Sequence, residues 1–235
     1  MNPGHWWQTL TAVQPGPPWW ATLLLAVASA ALVTNRRAWP LARNIVTIAH
    51  EGGHALIALS TGRRLAGIRL HSDTSGVTAS AGRPDGFGMV LTAAAGYPAA
   101  SLLGLAAAWT LTTGRPALLL WTTLVLLAGI LIQIRNLFGA LTVTLTAAAV
   151  FAACWWAPPT VQSLTAHLLA WFLLAAGPRP VLELHRLRQR GQAPESDADQ
   201  LARLTGIPGT VWVGLFAVIT TVCLAVGGWW LTTTG

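Results

Sequence analysis

Apolar runs about as long as a bilayer is thick constrain this 235-residue chain more than any other feature. They fall at residues 19–34, 44–61, 87–112, 116–134, 137–157, 160–177 and 209–232. A helix needs about 20 apolar residues to cross the hydrocarbon core, where every backbone polar group must be satisfied within the protein. Hydrophobic residues are 54% of the chain and charged residues 9%, and the mean hydropathy is +0.56, which excludes a soluble globular domain. The expected fold is an all-α polytopic membrane protein with six or seven transmembrane helices. It is read as one integral membrane domain over residues 1–235, with a core at about 44–140 and further helices and a loop at 141–235.

The formal charge of +7 comes from arginines scattered between apolar runs, without a single lysine. Arginines so placed set topology and contact lipid headgroups rather than nucleic acid. Counting them over seven spans with a cytoplasmic N-terminus puts Arg63, Arg64, Arg69, Arg83, Arg135, Arg179, Arg186, Arg188, Arg190 and Arg203 inside, and Arg36, Arg37, Arg43 and Arg115 outside. Local evidence opposes this, since Arg36 and Arg37 directly follow the first run. Tryptophan pairs at 19–20, 155–156 and 229–230 mark run ends at the interface. Ala28-Ser29-Ala30 resembles a signal-peptidase site, but no arginine precedes it, so an uncleaved span is expected. Cys154 and Cys223 lie in apolar runs and read as packing residues. The arginine-only, alanine-rich usage points to a high-GC bacterium and its cytoplasmic membrane.

The second run contains His50-Glu51-Gly52-Gly53-His54. On a helix, imidazoles four residues apart share a face and can grip Zn2+, while the carboxylate between them addresses a water in the metal's open position. By composition alone such a pattern arises about 0.002 times per chain of this make-up, so coincidence is a weak competitor. The competing structural reading is a histidine pair bonded to neighbouring helices. Gly52 and Gly53 are costly in a helix, which fits close approach of substrate or of a packed helix. The run from Ile68 to Thr78 alternates and is broken by turn residues, so a short β-hairpin should follow this helix. It is either a connector or an edge, around Ile68 and Leu70, that holds an extended substrate by strand addition.

These residues carry a resemblance. Ala49-His50-Glu51-Gly52-Gly53-His54-Ala55, then Gly62, the hairpin and Ala95-Gly96-Tyr97-Pro98, resemble the site-2 protease family of intramembrane metalloproteases, peptidase family M50. The Ser196-Asp197-Ala198 stretch is similar to its M50B-like group. The resemblance implies a zinc-dependent endopeptidase acting on transmembrane protein substrates, with His50 and His54 as ligands, Glu51 as general base and Asn136 orienting substrate. One departure concerns the third ligand, which in the family is an aspartate followed by glycine shortly after the asparagine. Here Asn136 is followed by Leu137-Phe138-Gly139-Ala140.

A catalytic zinc takes three protein ligands and a water. Asp197 is the favoured replacement; Asp199, Asp73 and His71 are alternatives, as is a site with no third ligand. Ser196 and Asp199 also read as a capping-box-like helix start, which leaves Asp197 free. His71 reads as a surface or substrate-contact residue, His167 as bonded to a neighbouring helix, His185 as part of a juxtamembrane anchor and His5 as interfacial. A noncatalytic relative acting as scaffold or regulator, and more remotely a transporter, are the competing functional classes.

Overall fold

The computed structural model describes residues 11–233. Along them run α1 (Trp19–Thr34), α2 (Trp39–Ser60), β1 (Arg64–Leu70), β2 (Gly76–Ala81), α3 (Phe87–Ala94) and α4 (Gly96–Thr112). Then come α5 (Pro116–Gln133), α6 (Leu137–Trp156), α7 (Pro159–Ala176), α8 (Pro178–Gln189), α9 (Asp197–Thr205) and α10 (Gly209–Thr233). Proline opens α5, α7 and α8, where its missing N–H is one that no helix could use and its fixed φ suits the first turn. Gly206, left-handed at φ 73°, ends α9.

The polytopic, mostly helical architecture with one hairpin is the one the apolar pattern predicts, but the spans are fewer than the runs. Among the described residues α5, α6, α7 continued by α8, and α10 are long and apolar enough to cross a membrane; α3 and α4, bent by 66°, make a fifth if counted together. The first run gives a helix of only 16 residues. The second gives α2, whose apolar character is interrupted by Arg43, Asn44, His50, Glu51 and His54.

Small residues bring the bundle helices close. Ala107, Ala108, Ala166 and Ala170 pack with Leu120, Leu174 and Leu231 in one buried cluster. Ile132, Leu137 and Leu145 face outward, as lipid-facing positions do.

The bundle has two chemically distinct ends. At one, the Gln14 N–H donates to Gly114 O at 2.7 Å, Gln162 Nε2 donates to Cys154 O and Ala157 O, and residues 14–21 share a cavity with residues 159–164. At the other, Trp39 Nε1 donates to Glu183 Oε1 at 2.9 Å, and Arg43 and Arg179 both reach the Glu183 carboxylate, at 3.6 and 3.1 Å. That shared carboxylate overturns the arginine count made over seven spans, which put Arg43 and Arg179 on opposite sides. The reason lies in α2. Its Val46 and Ala49 meet Phe172, Leu173 and Ala176 of α7, and its Ile48 and Ala55 meet Leu127 of α5 and Val143 of α6, so it packs against several bundle helices and is not among the helices apolar enough to count as a span.

The hairpin lies against α2. Its strands pair antiparallel from Arg64 opposite Ala81 to Leu70 opposite Gly76, with a bulge between Leu65 and Gly67. Gly67, at φ 144°, permits close approach of Arg135, whose Cγ would lie 2.4 Å from a Cβ there. The turn is pinned to α2: Arg43 Nη1 donates to Thr74 Oγ1 at 2.9 Å, and Thr47 Oγ1 donates to Thr74 O at 2.8 Å. These bonds hold Thr74 in the left-handed region at φ 67°, unusual for a β-branched residue.

Candidate metal centre

Helical spacing puts His50 and His54 on one face of α2, with their Nε2 atoms 3.1 Å apart. From the far side α9 brings Asp197, whose Oδ2 stands 3.3 Å from His50 Nε2 and 3.2 Å from His54 Nε2. The sequence-favoured third residue is therefore beside the pair, and its helix start is built as the capping pattern describes: Ser196 Oγ accepts from the Asp199 N–H, and its hydroxyl donates to Asp199 Oδ2 at 2.6 Å. Burial by itself raises the Asp197 carboxyl's pKa, but the imidazoles of His54 and His50 outweigh it and hold the group well below the ordinary carboxylate range.

His54 Nδ1 lies 2.7 Å from the Thr92 carbonyl, an acceptor only. In the neutral ring the single N–H goes there, which leaves the Nε2 lone pair directed at the other two groups. Two imidazole nitrogens and a carboxylate oxygen that lacks a hydrogen-bond donor thus converge, a crowd of acceptors that calls for a cation. Their spacing suits zinc, because vertices of a tetrahedron with bonds of about 2.0–2.1 Å lie about 3.3–3.4 Å apart. Gly96 keeps the cradle open: a Cβ there would meet His54 Nε2 at 2.4 Å and His50 Nε2 at 2.6 Å. Gly53 is close to α4 for the same reason, its added Cβ falling 2.6 Å from that of Ala99. Tyr97 sets its ring edge-on to His50, with centroids 4.9 Å apart, and stacks on Phe216 of α10.

Glu51 is buried, 3% exposed, and its Oε2 accepts from the Thr78 hydroxyl at 2.6 Å. Gly76 makes room for it, since a Cβ there would sit 2.5 Å from Glu51 Oε1. Other sequence candidates lie elsewhere. His71 and Asp73 both bond Ser75 in the hairpin turn, Asp199 is held by Ser196 and Arg188, His167 Nδ1 donates to Ser163 O, and His185 pairs with Gln189. His5 falls outside the described residues, and both cysteines are free thiols.

The residues expected to meet substrate have partners within the fold. Ile68 and Leu70 are 0% and 2% exposed, packed with Ile48, Ala55, Leu127 and Val143. Asn136 spends its amide on the backbone of Leu70, donating to its carbonyl at 2.6 Å and accepting from its N–H at 3.2 Å, while the Arg135 N–H donates to Ile68 O. The outer edge of β1 is therefore occupied. The open edge is that of β2, where strand alternation turns the N–H and C=O of Gly76 and Thr78 away from β1.

Thr78, Thr92, Gly76 and Arg188 escape a sequence reading, because no local pattern marks a partner so distant along the chain. Gly96 is signalled only as part of Ala95-Gly96-Tyr97-Pro98.

No curated protein and no solved structure matches the chain. The family model described as Peptidase M50B-like matches residues 22–227, from α1 into α10 and across every element of the site, so the chain belongs to the M50B-like peptidase family.

Proposed function

We propose that the protein is a zinc-dependent intramembrane endopeptidase of the site-2 protease type, multi-pass in a bacterial cytoplasmic membrane, cutting membrane-embedded protein substrates. The observation that carries this reading is the convergence of His50 Nε2, His54 Nε2 and Asp197 Oδ2 within 3.3 Å of one another next to a buried glutamate. His50, His54 and Asp197 would hold a zinc ion, which would supply Lewis acidity toward a peptide carbonyl and lower the pKa of water to near 7. Thr92 fixes the tautomer and orientation of His54, and Gly96 leaves the space between the rings clear. Glu51, steadied by Thr78, accepts the proton of the attacking water and delivers it to the leaving amine.

A helical substrate hides its scissile bond and must be held extended. The unpaired edge of β2 at Gly76 and Thr78 runs beside Glu51 and offers backbone partners for that purpose. Ile68 and Leu70 then act from behind, as the packed underside of the hairpin. The missing aspartate after Asn136, which favoured a noncatalytic relative, loses its force if Asp197 supplies the carboxylate from α9.

Zinc content and cleavage separate the possibilities. Purified wild type is expected to hold about one zinc per chain, lost in His54→Ala and in Asp197→Ala. Glu51→Gln should keep the metal and lose hydrolysis of a quenched-fluorescent transmembrane peptide with a Gly-Gly break. Zinc without cleavage in wild type would support the scaffold; no zinc sinks the metalloprotease.

A further inference from the structure

Asp197 Oδ2 has no hydrogen-bond partner and stands beside the two imidazoles, so its aim is set by the backbone that carries it. That backbone is the first turn of α9, a nine-residue helix too short to be stable by itself. Its Ala198 and Leu201 dock into an apolar cluster with Val181 and Leu184 of α8 and Val213 and Phe216 of α10, which fixes where α9 lies. Apolar packing is nondirectional and leaves the rotation of the first turn less tightly set.

We propose that Arg188 is a positioning residue for the metal centre: by clamping Ser196 and Asp199, which flank Asp197, it locks the first turn of α9 so that Asp197 faces His50 and His54. This rests on the metal reading above. The Arg188 Nη1 pairs with Asp199 Oδ1 and donates to Ser196 Oγ at 3.3 Å, while Ser196 bonds Asp199 in turn, closing a three-membered network around the ligand residue. Both charged side chains are mostly buried, 18% and 22% exposed. A pair so placed contributes little net stability after desolvation, but it is directional. A planar guanidinium suits it, presenting several donors in a fixed fork. The chain also makes room for it: a Cβ on Gly209 would lie 2.5 Å from Arg188 Nη2.

The experiment is zinc affinity by chelator competition on the purified full chain, with thermal unfolding of the metal-free protein alongside. Arg188→Met, which keeps the stem, and Arg188→Met/Asp199→Asn, which strands no charge, should each weaken zinc binding about 10- to 100-fold. The metal-free unfolding temperature of the double variant should stay near that of wild type. Gly209→Ala, whose Cβ would crowd the guanidinium at 2.5 Å and Ala198 O at 3.1 Å without altering any charge, should weaken zinc in the same direction. Wild-type zinc affinity in all three variants overturns the proposal, as does a loss of zinc matched by a fall in the metal-free unfolding temperature of the double variant. A wild type that binds no zinc overturns the metal reading itself, and is recognised before any variant is made.

Discussion

Gly96 faces both imidazole Nε2 atoms at less than a van der Waals separation from any added methyl group, which makes it the sharpest single-residue lever on the site. In an ordinary helix Gly→Ala gains about 1 kcal/mol of helix propensity. Gly129 of α5, with nothing within 4 Å of an added Cβ, is that ordinary case. Gly96→Ala is therefore expected to lower zinc affinity at least about 10-fold while leaving helicity by circular dichroism intact, and Gly129→Ala to leave both unchanged or slightly improved. Equal zinc affinities in the two variants would contradict the cradle. At this scale the sequence is eloquent where chemistry is local. His50, Glu51 and His54 declare themselves by spacing, and Asp197 by the resemblance of Ser196-Asp197-Ala198 to the M50B-like group, although the same stretch also reads as a helix cap. The groups that orient them do not: the Thr92 carbonyl is a backbone atom 38 residues from His54, and the Thr78 hydroxyl lies 27 residues from Glu51.

The hairpin is the element whose role moved most between sequence and structure. Alternation from Ile68 to Thr78 reveals its existence, but not which edge is free, since that depends on residues 134–136 arriving from another part of the chain. Asn136 reads from the motif as a substrate contact, and in the fold its amide completes the β1 edge. Asn136→Ala would leave the Leu70 N–H and C=O without partners in a poorly hydrated place, at about 1–3 kcal/mol. The expected result is a lowered unfolding temperature in detergent with zinc affinity retained. An unchanged unfolding temperature combined with weakened substrate binding would instead return Asn136 to the substrate. Spans suffer a related ambiguity. The apolar runs at 19–34 and 44–61 are real helices, but hydropathy cannot tell that α2, carrying the site's polar residues, packs against α5, α6 and α7.

Those two ends divide the polar residues of the whole molecule. Tryptophans 19, 20, 155 and 156 stand at the end where Gln14 meets Gly114, and the arginine there is Arg115. Around the Glu183 end lie Arg36, Arg37, Arg43, Arg135, Arg179, Arg186, Arg188, Arg190 and Arg203, with the hairpin's arginines on the unit that packs beside them. Nine against one, without Arg63, Arg64, Arg69 and Arg83 of the hairpin unit, is a stronger asymmetry than the ten against four obtained over all fourteen by assuming that every apolar run crosses. It also moves Arg36, Arg37 and Arg43 to the cytoplasmic side and the N-terminal segment away from it, while Arg135, Arg179 and the arginines of α8 and α9 keep the side the count gave them, because cytoplasmic loops are the arginine-rich ones. The Glu183 end, with α8 and α9, is then expected to face the cytoplasm, and the segment near Gln14 the opposite side. Single cysteines in a variant lacking Cys154 and Cys223 decide the matter with a membrane-impermeant maleimide on intact cells. Thr113→Cys and Thr160→Cys should be labelled without permeabilisation, and Gln192→Cys only after it. The reverse pattern would put the metal centre toward the outer face and require Arg36, Arg37, Arg43 and the arginines of α8 all to be translocated, against the bias that orients most multi-pass chains.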